Sequence, residues 1–87
     1  MNKVDKEAIK NSLDYIRGTI ANQIALTLVE GGNKVYFWPK ELAKSSGVSQ
    51  RKFRKIMFEQ ITPSLEDLVK IARACGCELI LRFRREE

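Results

Sequence analysis

Between residues 4 and 30 the apolar positions Ile9, Leu13, Ile16, Ile20, Ile24 and Leu28 recur at steps of four, three, four, four and four. That spacing keeps side chains on one face of an α-helix. Asp5 is placed to cap its start, and Gly31 and Gly32 followed by Asn33 to end it. Gly18 and Thr19 interrupt the run, so the pattern allows either one long bent helix or two, Thr19 then capping the second. Residues 34–38, KVYFW, have an extended preference. Pro39 restricts Trp38 to extended geometry and suits the first position of a helix over 40–46.

The next stretch reads as two short helices across a tight turn. Leu42 and Ala43 are the apolar positions of the first, and Gly47 sits where the chain must reverse after Ser46, a place that favours positive φ. Val48 plugs the angle. Ser49 caps a second helix from Gln50 to about Glu59, with Phe53, Ile56 and Met57 turned inward. Gln50, Arg51, Arg54, Lys55 and Phe58 then lie on outward or flanking faces. Pro63 ends this region, and Ser64 caps a helix over 65–75 with Glu66 and Asp67 in its first turn and Leu65, Leu68, Val69, Ile71 and Ala72 as its apolar face. Gly76 stops it.

From residue 77 the period changes to two: Cys77, Leu79, Leu81 and Phe83 point one way, and Glu78, Ile80, Arg82 and Arg84 the other. This predicts a C-terminal β-strand over 77–85. A lone strand cannot satisfy its own backbone. KVYFW is one candidate partner; a second copy of the same strand, antiparallel about a twofold axis, is the preferred one. Leu79, Ile80, Leu81 and Phe83 would then form the dimer contact.

Eighty-seven residues make a single domain, 44% hydrophobic and 31% charged, an ordinary soluble composition. No apolar run approaches the roughly 20 residues needed to span a bilayer, and the first residues lack the apolar core of a secretion signal. The expected location is cytoplasmic, with no membrane partner. Cys75 and Cys77 are the only cysteines and there is no histidine, so one chain cannot build a four-ligand Cys/His zinc site; both read as small apolar filling. No glycine-rich phosphate loop, metal-ligand cluster or nucleophile with an obvious base is present, so no cofactor and no enzymatic activity are expected.

Charge sharpens the picture. The net charge is +5, and residues 40–58 alone hold six Lys or Arg against one carboxylate. The excess coincides with the two-helix motif, where a polyanion-binding surface would release counterions. A helix fits the major groove of B-DNA. Gln50, Arg51, Arg54 and Lys55 are the candidate base readers, with Arg51 able to donate to O6 and N7 of guanine together. Gln50 could bond adenine, support Arg51 or meet a phosphate. Lys40, Lys44, Ser49 and Lys52 are the candidate phosphate contacts that set register. Tyr36 and Trp38 either lean on the DNA backbone or staple the helix start to the core.

The segment LAKSSGVSQRKFRKI, continued by TPSLEDLVKIARACG, resembles the lambda-repressor/Cro-like (XRE) family of DNA-binding domains, over roughly residues 20–76. Trp38 and Pro39 replace the polar residue and glutamine that usually open the first helix of the motif, and Met57 and Glu59 stand where a glutamate and a glycine often follow the second. The resemblance implies a mainly α, lambda-repressor-like helix-turn-helix bundle. Its core would be residues 19–76, with residues 1–18 an additional N-terminal helix. It implies a sequence-specific transcriptional regulator, a repressor binding double-stranded DNA as a homodimer. A last helix running into a strand is similar to the antitoxins of the HigA and HipB kind, which repress their own operon and bind a toxin. Phage repressors and controller proteins share much of the pattern, and a protein-interaction module on the same fold is the alternative of a different class.

Overall fold

The computed structural model describes residues 3–31 and 38–85, the latter without the side chains of Trp38 and Pro39. The expected extended run at 34–37 and its aromatic staple lie outside the described residues. The described chain is mainly α: α1 (Lys6–Glu30), α2 (Trp38–Ser46), α3 (Gln50–Met57) and α4 (Leu65–Ala74).

α1 is one continuous helix through Gly18 and Thr19. Asp5 caps it by accepting the Glu7 N–H at 3.0 Å. The Thr19 hydroxyl caps nothing; it donates back to the Tyr15 carbonyl at 3.0 Å. Twenty-five residues at about 1.5 Å each make a rod of about 37 Å, which accounts for most of the 43 Å long axis against 22 × 20 Å across. The buried residues of α1, Ala21, Ile24 and Leu28, all belong to its second half, whereas Ile9 and Ile16 of the same stripe are 45% exposed. The stripe is continuous, but the bundle covers only half of it.

α2 packs on α3 and α4, and α1 packs on α3. Their shared core is Ile24 and Leu28 of α1, Leu42 of α2, Val48 of the turn, Phe53 and Ile56 of α3, and Ile71 of α4. Arg17 pins α1 to the α3–α4 connection: its Nε donates to Thr62 Oγ1 at 2.8 Å, and its Nη1 to Asp14 Oδ1 at 3.0 Å.

α4 ends at Ala74, with Cys75 as its C-cap and Gly76 at φ 74°. The Gly76 N–H donates to Arg73 and the Cys77 N–H to Ala72, the paired bonds of a Schellman motif. α3 ends the same way, two residues sooner than the pattern suggests. The Glu59 N–H donates to Ile56 and the Gln60 N–H to Lys55, with Glu59 at φ 60° in the place that favours glycine.

Glu59 also stands beside the glycine inside α1. A Cβ on Gly18 would stand 2.9 Å from Glu59 Oε1, the mobile tip of a flexible side chain that can swing aside. Gly18→Ala should therefore stabilise the fold by about 0.5–1 kcal/mol through helix propensity, read as a higher urea midpoint. A gain seen only in a Glu59→Gly background would show that the carboxylate does not yield.

Two expectations need correction. Trp38 is helical rather than extended, so Pro39 is the second residue of α2. Leu65 and Val69 are 62% and 45% exposed, because in so small a bundle α4 buries only the side carrying Ile71, with Leu68 and Ala72 half-buried. Residues 77–85 form no strand with any described residue: after the Cys77 N–H bond to Ala72, their backbone makes no hydrogen bond to a described residue.

Candidate nucleic-acid interface

The turn between α2 and α3 consists of Gly47, Val48 and Ser49. Gly47 adopts φ 80°, and a Cβ there would meet nothing within 4 Å, so the requirement is conformational rather than steric. Ser46 stitches the turn: its Oγ donates to the Ala43 carbonyl at 3.3 Å and accepts the Val48 N–H at 3.1 Å. Val48, only 4% exposed, seats the turn on the core. Ser49 caps α3, accepting the Lys52 N–H at 3.2 Å.

With Phe53 and Ile56 of α3 at 0% and 1% exposure, the rotation of the helix is fixed, and Gln50, Arg51 and Arg54 stand in solvent. Lys40 and Lys44 are exposed on α2. Lys55 is half-buried, so its ammonium reaches outward from a partly covered stem. Lys40, Lys44, Arg51, Arg54 and Lys55 make no ion pair with a described carboxylate, the pairs being Arg17–Asp14 and Lys52–Asp67. Five cations on two adjoining helices are left to face solvent, which is what an approaching polyanion requires.

Among the described residues, Lys52 has a partner that the other cations of the basic stretch lack. Its Nζ lies 3.2 Å from Asp67 Oδ2, and Asp67, at 9% exposure, is the buried charged residue of the described chain. The Asp67 N–H is in turn held by the Ser64 cap at 3.1 Å. Lys52 thus answers a nearly buried carboxylate and ties α3 to α4, with half of its side chain still in solvent. Sequence reasoning assigned Asp67 only to the dipole of α4. A lysine and an aspartate fifteen positions apart on separate helices carry no periodic signal, and the same holds for Arg17 and Thr62.

The C-terminal residues expected at a dimer contact divide by exposure. Leu79 is half-buried, while Ile80, Leu81 and Phe83 are 75%, 65% and 107% exposed. Leu79 and its neighbours wall one side of an apolar groove of about 480 Å³ that also meets Tyr15, Ile16 and Ile20 of α1 and Leu68 of α4. Cys75 packs half-buried against the core; burial, and then the neighbouring Cys77, raise its thiol pKa. Cys77 is exposed, so only Cys75 serves as apolar filling. Among the described residues no cluster of His, Cys, Asp or Glu could hold a metal, and no helix is long and apolar enough to cross a membrane.

Comparison of the chain with known protein families, with curated proteins and with solved structures finds no significant match to any of the three.

Proposed function

We propose that the chain is a sequence-specific DNA-binding transcriptional regulator with a lambda-repressor-like helix-turn-helix, acting as a repressor and as a homodimer. The observation that carries this reading is the cationic face of α2 and α3. Gln50, Arg51 and Arg54 are exposed at or near the start of α3, behind them the helix is anchored by Phe53 and Ile56, and beside them Lys40 and Lys44 offer charge without sequence preference. Gln50, Arg51, Arg54 and Lys55 read bases; Lys40, Lys44, Ser49 and Lys52 hold phosphates.

An electrophoretic shift with the protein's own promoter fragment tests it. The complex should form at low salt and lose about a thousandfold in affinity between about 50 and 200 mM salt if the two copies together neutralise six or more phosphates. No shift even at low salt would sink the DNA reading and favour a protein-interaction module.

A second role, as the autoregulating antitoxin of a toxin–antitoxin pair, draws support from the overhanging half of α1. Ile9, Tyr15 and Ile16 are exposed there, on a part of the helix that contributes no buried residue to the bundle. An adjacent small reading frame, toxic alone and harmless when held in complex with this chain, separates an antitoxin from a phage-type repressor or controller protein. A neighbouring product that neither poisons cells nor binds this chain removes the antitoxin role.

A further inference from the structure

The C-terminal run is built to complement itself. Residues 78–85 make no backbone hydrogen bond to a described residue, yet the run carries the most exposed large apolar side chain of the described chain, Phe83. Placing two copies antiparallel makes each register a definite set of opposed residues, and opposed residues point to the same side. Centred on Ile80, the register sets Ile80 against its own copy, Leu79 against Leu81, Glu78 against Arg82, and Cys77 against Phe83. Every opposition is then apolar with apolar or acid with base. Shifting the centre to Leu81 keeps an acid–base pair, Glu78 with Arg84, but opposes Ile80 to Arg82. Shifting it to Arg82 opposes that arginine to itself.

We propose that two copies of this chain pair antiparallel through residues 77–83, centred on Ile80, with Glu78 of each against Arg82 of the other. The inference deepens the homodimer proposed above and rests on it. Residues 77–81, Glu78 and Ile80 included, all line the groove beside α1 and α4, and in a paired strand Cys77, Leu79 and Leu81 share one face. In this register the partner copy adds its Leu81 and Phe83 to that face, extending the apolar cover of the groove. Arg84 of the partner copy comes opposite Gly76, beside the C-terminal end of α4, where a cation is favoured. An exposed apolar face, a backbone that no described residue pairs and an acid–base pair are thus all answered by one occupant.

The full-length chain is examined by analytical ultracentrifugation across the micromolar range. The wild type should sediment as a dimer of the 10.0 kDa chain. Glu78→Arg should weaken the dimer about tenfold or more, since each copy loses an opposed pair and gains a repulsion. Adding Arg82→Glu should restore it to within about threefold, and adding Arg84→Glu should not. Phe83→Ala, at a side chain fully exposed in the single copy, should weaken the dimer while leaving the circular dichroism of the dilute chain unchanged. A wild-type monomer overturns both the dimer and the register, while the DNA shift assay still judges the DNA reading separately. A wild-type dimer rescued by Arg84→Glu rather than Arg82→Glu, or indifferent to Phe83→Ala, keeps the dimer and overturns the register.

Discussion

Replacing Phe53 with alanine is expected to remove about 3–5 kcal/mol of stability, the largest loss of any single truncation in this chain. A domain of 87 residues has roughly 4–13 kcal/mol in hand, so the variant would stand near the edge of unfolding. Phe53 has no exposed surface, and its cluster draws on α1, α2, the turn, α3 and α4 together; no neighbour can fill the space without moving a helix. The check is urea unfolding followed by circular dichroism, with the midpoint lowered and the slope unchanged. Leu65→Ala is the contrast. Leu65 belongs to an equally apolar stripe but is 62% exposed, and its loss should stay within about 0.5 kcal/mol. A Leu65 effect approaching that of Phe53 would mean α4 is covered in solution by something beyond the single chain.

Phe53 and Leu65 also mark where the sequence was legible. Spacing along 50–57 placed Phe53 and Ile56 inward, and the caps Asp5, Ser49 and Ser64, the turn at Gly47 and the stop at Gly76 all stand where local chemistry puts them. These signals are short-range: a hydroxyl reaching an N–H two or three residues on, or a backbone that must pass through positive φ. Periodicity identifies an apolar face without saying how much partner surface exists to cover it, which is why Leu65, Val69, Ile9 and Ile16 read as core and stand exposed. Tertiary pairings leave no periodic trace either. Lys52 looked like any other cation of the basic stretch until Asp67 was found beside it. Glu59 at φ 60° is opaque for a related reason: a glycine would have announced the end of α3, and a glutamate does not. The C-terminal alternation was plain in the sequence, but the single chain pairs it with no described residue, since a strand is a property of two segments.

On the DNA-binding function proposed above, Arg51→Ala should weaken binding to the specific site by about 1–3 kcal/mol, roughly tenfold to a hundredfold, and relax the preference at one base pair. Arg51 stands in the first turn of α3, exposed and without a described carboxylate partner, so its planar fork is free to donate to both acceptors of a guanine. Lys44→Ala should instead weaken specific and random DNA alike and lower the salt slope by about one, because a phosphate contact is the same on every sequence. Lys52→Ala supplies the third comparison. It leaves Asp67 without its cation at 9% exposure, so its effect should appear as a lower urea midpoint, and its effect on DNA should follow through the seating of α3 on α4. Titrating all three variants against the promoter fragment and a scrambled duplex at two salt concentrations separates the roles. Specificity moves only with Arg51, salt dependence with Lys44, and stability with Lys52. Equal losses for Arg51→Ala on both duplexes would make it one more phosphate contact and pass base reading to Gln50 and Arg54, exposed polar side chains on the same helix.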